Sequence, residues 1–509
     1  MRAAKDSLES SWRAQREKRN NMRSINRLPE ELLLQVFLLG KETEREDNYF
    51  HGHDTSRRSG SKMQIQESVA QVCRRWRSMA IGDPRLWNHI LITGPNTFIS
   101  ALHFLERSGP AAPLRIEIDI RLLKSPLPAT NDDTDPWGVW TNDPDSNYQQ
   151  DLMPQILGFL VSHGGRPSRW MELAVWTKSI LPLLVVLDFL SVNSMDNLRS
   201  LLLVDCQWHT FGKGVSSLPS SHRCVTKPGL FDGHPPLLHT IKLMGMNNHF
   251  LFDEGNLNVP ILSNLTYISI SSTLGEHLPP LRGIHSLLMH SPRLEALFLS
   301  TNWSDRSLDA SQDRALTPVS LPHLRRLSFR ELQATWGVRV LQMVDAPGIE
   351  SLSLSTIHGK EVHSIVSYIT YGLPGIRENA HGSQPYRPAF PALKHLALKF
   401  YQGTHSALVA LLRSLNTITR LEWELDPSKR GILPSIFASP GVCPNLEHLY
   451  VLGASDVDIV QGVHALIESR APLKVVEVHP HQWRTDGKGL KRRLQKSLTV
   501  RCFMGHESV

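Results

Sequence analysis

From about residue 165 onward the chain repeats one arrangement of side chains: apolar, two others, apolar, one other, apolar. It reads "WMELAV" at 170–175, "LRSLLL" at 198–203, "LHTIKL" at 238–243, "LTYISI" at 265–270, "LEALFL" at 294–299 and "LRRLSF" at 324–329. It continues as "IESLSL" at 349–354, "LKHLAL" at 393–398, "ITRLEW" at 418–423, "LEHLYV" at 446–451 and "LKVVEV" at 473–478. The middle apolar residues stand at 173, 201, 241, 268, 297, 327, 352, 396, 421, 449 and 476. Most intervals are 25–30 residues, and the two long ones, 201 to 241 and 352 to 396, hold the loop-like insertions "KGVSSLPSSHRCVTKPG" and "RENAHGSQPYRPAF".

The end of each copy alternates with period two, which predicts a short strand with one buried face. Proline often precedes it, as in "SPRLEAL", "FPALKHL" and "CPNLEHL", a position where no ladder donor is needed. Between copies, "LMPQILGFLVSHGG", "LRGIHSLLMHS", "EVHSIVSYITYG", "SALVALLRSL" and "IVQGVHALIES" place apolar residues three and four apart, as amphipathic helices do. A unit of this size cannot cover its own apolar face, so stacked neighbours must, and the expected architecture is a solenoid. A doubly wound α/β sheet would show similar alternation, but the uniform signature and the lack of a Gly-rich first turn favour the solenoid.

The stretch 93–165 is expected to open the array, with a helix at "SALHFLERSG" and a strand at 113–120. The segment "PATNDDTDPWGVWTNDPDSNYQQ" reads as a solvated acidic loop, since its aspartates lack the closing glutamate of a calcium loop.

In front of the array two further apolar patterns stand close together. "INRLPEELLLQVFLLG" at 25–40 has a proline and two glutamates at a helix start. Leu32, Val36 and Leu39 share one face, widened by Leu33 and Phe37. "SVAQVCRRWRSMAIGDPRLWNHILI" at 68–92 places Val69, Val72, Cys73, Trp76, Met79 and Ala80 on one helical face, from an N-cap at Ser68 to the stop at "GDP". Leu86, Trp87 and Ile90 then fold back. Between the two patterns, 41–67 is polar and charge-mixed and reads as a disordered insertion. Loop-closure entropy grows slowly enough for a small domain to tolerate it.

The chain's 509 residues, 41% hydrophobic and 20% charged, suit a folded chain. The longest apolar run, 180–192, is too short to span a bilayer and carries Asp188. No secretory signal is visible at the start. Five scattered cysteines without a CxxC point to a reducing compartment, cytoplasmic or nuclear. The net charge of +7 is concentrated in the basic ends, 1–24 and 486–509, which read as solvated termini. Neither a membrane nor nucleic acid is the expected partner. No nucleotide, protease, hydrolase or zinc motif is present, so no catalytic residue, metal or cofactor is expected. Cys206, His209, His222 and Cys224 fall within one insertion, but the last two are only two apart, awkward for a tetrahedral site.

The Leu-Pro, Cys-x-x-Trp and Leu-Trp elements, in the order "LPEELLLQVF" then "VCRRWRSMAIGDPRLWNHI", resemble the F-box, and the repeats resemble the leucine-rich repeat family. The combination is similar to the fungal type of F-box protein, including the interrupted F-box. The expected fold is a small all-α F-box-like domain at 25–92, with its insertion at 41–67, followed by an α/β solenoid at 93–485. The resemblance implies a non-enzymatic substrate-recognition subunit of an SCF-type ubiquitin ligase. Its F-box docks a Skp-type adaptor, and through it a cullin, while the repeats hold a protein substrate. Carried onto this chain, the adaptor-binding residues, contacting the adaptor or its supporting core, are Leu28, Pro29, Leu32, Val36, Phe37, Val72, Cys73, Trp76 and Trp87. On the open strand face, Lys242, Tyr267, Phe298, Arg326, Arg330, His395, Lys399 and Tyr450 are the substrate-binding candidates, with Trp176, Glu422 and Glu424 beside them. A basic, aromatic face of this kind suits an acidic or phosphorylated segment. The rival expectations are a scaffold that no longer recruits the adaptor and a repeat protein that binds nucleic acid through its basic tail and Arg-bearing face, with binding that falls steeply with salt.

Overall fold

The computed structural model describes residues 2–50, 64–125, 144–206, 231, 235–246, 262–272, 281–301, 316–330, 334–355, 362–372, 388–399, 404–425, 431–478, 494 and 498–502. The head contains α1 (Arg2–Asn21), α2 (Glu30–Phe50), α3 (Ile65–Val72) and α4 (Arg74–Gly82). The array begins with β1 (His89–Ile92), α5 (Phe98–Ser108), β2 (Leu114–Asp119), α6 (Pro144–Ser162), β3 (Trp170–Thr177), α7 (Ile180–Val192) and β4 (Ser200–Asp205). It continues through β5 (Thr240–Met244), β6 (Tyr267–Ser272), α8 (Leu281–Met289), β7 (Ala296–Thr301), β8 (Val319–Ser320), β9 (Arg326–Arg330), α9 (Ala334–Met343), β10 (Val344–Asp345) and β11 (Ser351–Ser355). It closes with α10 (Val362–Tyr371), β12 (His395–Lys399), α11 (His405–Ser414), β13 (Arg420–Glu424), α12 (Ile432–Phe437), β14 (His448–Leu452), α13 (Asp456–Glu468), β15 (Val475–Val478) and β16 (Thr499–Cys502).

Among the described residues the strands form one 14-stranded sheet in strict chain order, with β8 and β10 paired separately as a two-stranded ribbon. The order never reverses, as a doubly wound sheet requires, so the solenoid is the observed architecture. Its register matches the sequence ruler. Leu173, Leu201, Ile241, Ile268, Leu297, Leu327, Leu352, Leu396, Leu421, Leu449 and Val476 pair in one unbroken ladder. The ladder extends to Ile90 and Ile116 at one end and Val500 at the other. All of these side chains are buried, as are the apolar residues three before and two after them. A backbone device repeats with them: the carbonyl two residues before the ladder position accepts two N–H groups from the next repeat. Thr266 and Tyr267 donate to His239, Glu295 and Ala296 to Thr266, and Arg325 and Arg326 to Glu295.

The structure corrects several expectations. The stretch from Ser68 is not one helix. The chain breaks at Cys73 (φ −157°, ψ 171°), and the upstream cap is Gln64, in a reciprocal box with Glu67. The expected disorder at 41–67 is not seen over 41–50, where α2 continues to Phe50, nor over 65–67, where α3 begins; 51–63 lie outside the described residues. The solenoid begins at β1, inside the segment assigned to the head. The basic tail contributes β16 to the sheet. The expected acidic loop yields to α6 at Pro144, where Gln149 is buried and Asp145 meets Lys178 at 2.9 Å.

Candidate protein-interaction surfaces

The head is built on α2, whose faces divide the predicted docking residues. Leu33, Phe37 and Lys41, four apart, point inward and are buried, while Leu32, Val36 and Leu39 are 53%, 49% and 70% exposed. Val72, at the end of the neighbouring α3, is 55% exposed. Pro29 is exposed, and Leu28, Cys73 and Trp76 are half-buried. Phe37 and Trp87, expected at the adaptor contact or in its supporting core, are 2% and 1% exposed and belong to the core.

The core side chains lock the head together. Phe37 packs on Trp76 with ring centroids 4.9 Å apart. Trp76 Nε1 donates to Asn26 Oδ1 at 2.6 Å, and Arg75 donates to the carbonyls of Asn26 and Leu28. Cys73 Sγ accepts the Trp76 N–H at 3.5 Å, so this cysteine caps α4. Trp87 Nε1 donates to Ala80 O at 2.6 Å, while its ring meets Phe104 of α5 edge-on at 5.1 Å and carries Arg107 above it at 4.3 Å.

The buried Lys41 ammonium donates to Arg85 O and Asn88 Oδ1 at 2.7 and 2.6 Å, and Asn88 Nδ2 donates to Pro113 O. Arg115 on β2 pairs with both Glu42 and Glu172. Head and array therefore share one core. Asn26, Lys41, Arg75 and Asn88 were not foreseen, because their partners lie about 25 to 50 residues away in sequence and no local pattern marks them.

The second surface is the sheet face opposite the core. Every predicted substrate residue, together with Trp176, Glu422 and Glu424, stands at an odd offset from the buried ladder and so lies on this face. They form two neighbourhoods.

In the first, Tyr267 stacks on Phe298 at 5.2 Å, and Lys242 Nζ sits 4.8 Å from the centre of the Tyr267 ring. Arg326 and Arg330 are exposed on β9. Burial, with help from Arg326, pushes the Lys242 ammonium down to about 8. Burial raises the Tyr267 phenol to about 12, partly opposed by Arg326. Tyr267 Oη, Ser271 Oγ and Ser300 Oγ are buried and make no hydrogen bond among the described residues.

In the second neighbourhood, Glu422 accepts from Arg420 at 3.0 and 2.7 Å, and His395 Nε2 sits 3.2 Å away. Burial opposes ionisation of Glu422, but His395 and Arg420 outweigh it and hold the carboxyl at about 2. Burial raises the nearby Tyr450 phenol to about 12, helped by Glu424, Glu422 and Glu477. Lys399 lies half-buried on β12 between the two neighbourhoods. Ser271 and Ser300 escaped the sequence reading, although the ladder offset alone would have placed them on this face.

Elsewhere, Cys206 is half-buried, its thiol raised to about 11 chiefly by burial, and His209, His222 and Cys224 lie outside the described residues. No described helix is long and apolar enough to cross a membrane.

A helical head fused to a one-strand-per-repeat parallel solenoid, with two solvent-facing surfaces, defines a protein-interaction adaptor. The head matches the F-box-like family model over residues 25–93, so the chain carries an F-box-like domain in front of the parallel solenoid. No curated protein matches the chain. A solved structure that it resembles is that of a TLR13–ssRNA13 complex, at 16% identity and a TM-score of 0.34 over 67% of this chain. The chain spans 43% of that protein's length.

Proposed function

We propose that the chain is a non-catalytic substrate receptor of a cullin–RING ubiquitin ligase. Its F-box-like head docks a Skp-type adaptor, and the open sheet face holds the protein to be modified. The observation that carries this reading is the stripe of Leu32, Val36 and Leu39 on α2, left in solvent on a head that matches the F-box-like model. Large apolar side chains aligned at helical spacing and exposed together mark a surface that another protein covers. Leu28 and Trp76 are half-buried against the core, and Phe37, on the inward side of the same helix, packs on Trp76. The receptor itself transfers no group, and the chemistry belongs to the ligase it joins.

The test is co-purification of the full chain with a Skp-type adaptor, comparing wild type with Leu32→Ser/Val36→Ser. Retention of the adaptor by wild type and its loss from the variant supports the role. Absence of adaptor from both would leave a scaffold without a ligase.

A further inference from the structure

The helix in front of the head, α1, packs least against the rest of the protein. No described side chain on it belongs to the core. Its C-terminal end is tied to the head through Asn26, whose Nδ2 donates to Asn20 O at 2.6 Å while its Oδ1 accepts Trp76 Nε1 at 2.6 Å. Along the helix Lys5, Leu8, Trp12, Arg16, Lys18 and Arg19 are exposed, and Leu8 and Trp12 are each 62% exposed.

These side chains are ordered. Lys5, Leu8, Trp12, Arg16 and Arg19 follow one another at steps of three or four residues, so they form one stripe along the helix. The stripe is about 21 Å long. Its middle is apolar and both of its ends are cationic.

The helix dipole explains part of this pattern, because Lys18 and Arg19 stand in the last turn, at the negative end. It does not explain Lys5. That cation stands in the first turn, where no acidic residue accompanies it and the dipole opposes it. Nor does folding explain Leu8 and Trp12, since helices draw most of their stability from an apolar face that is packed.

The order of the stripe selects among anionic partners. A helix lying on a bilayer needs a continuous apolar face with its cations alongside, whereas here cations close the apolar stretch at either end. A nucleic-acid backbone is met by cations alone and has no use for Leu8. A short apolar groove with carboxylates at both ends matches the whole stripe. Calcium-loaded EF-hand sensors open such a groove: its methionines suit an indole, and the surrounding calcium loops are rich in carboxylates.

We propose that α1 is a docking helix for a calcium-loaded EF-hand protein, with Leu8 and Trp12 in the groove and Lys5, Arg16 and Arg19 on its acidic rim. This surface is separate from the Leu32/Val36/Leu39 stripe on α2 and does not depend on the ligase role.

The experiment is isothermal titration of the full chain with calmodulin as the probe, in calcium and in EGTA. Binding in calcium with a Kd of about 1 μM or tighter is expected, with at least a hundredfold loss in EGTA as the groove closes. Leu8→Ser/Trp12→Ser is expected to weaken it roughly a hundredfold, the scale of a Trp anchor. Lys5→Glu/Arg16→Glu/Arg19→Glu is expected to weaken it at least tenfold and to flatten its salt dependence. Ser10→Arg, on the opposite side of the helix, is expected to bind within twofold of wild type. Circular dichroism and adaptor co-purification on the same samples confirm that α1 and the head remain folded. Absence of binding in calcium would overturn the proposal, as would equal binding in EGTA. Tighter binding of Ser10→Arg would overturn it too, because the attraction would then be general charge. So would tighter association of wild type with phosphatidylserine vesicles or single-stranded RNA than with calmodulin, or a self-association that Leu8→Ser/Trp12→Ser abolishes.

Discussion

Changing Leu32, Val36 and Val72 together to serine separates a docking surface from a core. These three side chains are 53%, 49% and 55% exposed in the free chain. Full burial of a Leu or Val contributes about 1.5–3 kcal/mol, so covering the remaining half of each contributes on the order of 1 kcal/mol. Three such positions together amount to about 3 kcal/mol of adaptor affinity, or roughly a hundredfold in Kd. The free chain should hardly notice, since exposed substitutions usually stay within about 0.5 kcal/mol each. Phe37→Ala is the contrasting perturbation. That ring is 2% exposed and packed on Trp76, and deleting it should cost about 3–5 kcal/mol of stability. Isothermal titration with a Skp-type adaptor, alongside calorimetric melting, reads both quantities. Adaptor affinity of the triple variant within threefold of wild type would refute the reasoning. A loss of stability as large as that of Phe37→Ala would refute it equally, because the three side chains would then be core.

Three further outcomes follow from buried charges. Lys242 is held near 8 where its ordinary value is 10.5. The unfolded chain therefore binds more protons across that window, and the full cost, on the order of 1–3 kcal/mol, is present below pH 8. Lys242→Met should stabilise the protein at pH 7, with an advantage that shrinks as pH rises from 8 to 10.5; a flat pH difference would contradict this. Glu422 is the opposite case, held at about 2 against an ordinary 4.5. Its contribution is present above 4.5 and lost as pH falls from there towards 2, so Glu422→Gln should flatten that part of the acid-stability curve, as seen by circular dichroism. Arg169 donates to the carbonyls of Ala112, Gly164 and Gly109 and to Ser108 Oγ, tying the α5–β2 and α6–β3 turns together. Arg169→Met should cost about 3 kcal/mol in denaturant titration, because it strands several buried acceptors.

Much of this molecule was legible in its apolar spacing. The positions 173 through 476 form the ladder in register because each repeat must place one side chain at the same depth. The ends were harder to read. Ile90 and Ile92 are strand residues hidden behind Trp87, and Val500 lies among the charges of the tail. The break at Cys73 was invisible because Val69 and Trp76 pack into the same core on either side of it, so the helical spacing runs through the interruption. On α2, period alone could not say which of two adjacent apolar stripes faces inward. That choice belongs to Lys41, whose ammonium finds Asn88 and Arg85 only after the chain has folded. The idle hydroxyls of Ser271 and Ser300 are likewise a property of what surrounds them, which a local pattern does not encode.

Because the head shares its core with β1 and α5, the sheet works as a gauge. Strands add in chain order without a gap, and each adds roughly 4.8 Å. β6 is five steps from β1, so a side chain on it sits about 24 Å along the sheet from the head. Deleting or duplicating one repeat would shift every later position by one tooth, roughly 5 Å, while leaving both contact surfaces chemically intact. Reach in such a molecule is a digital quantity, written in the number of repeats.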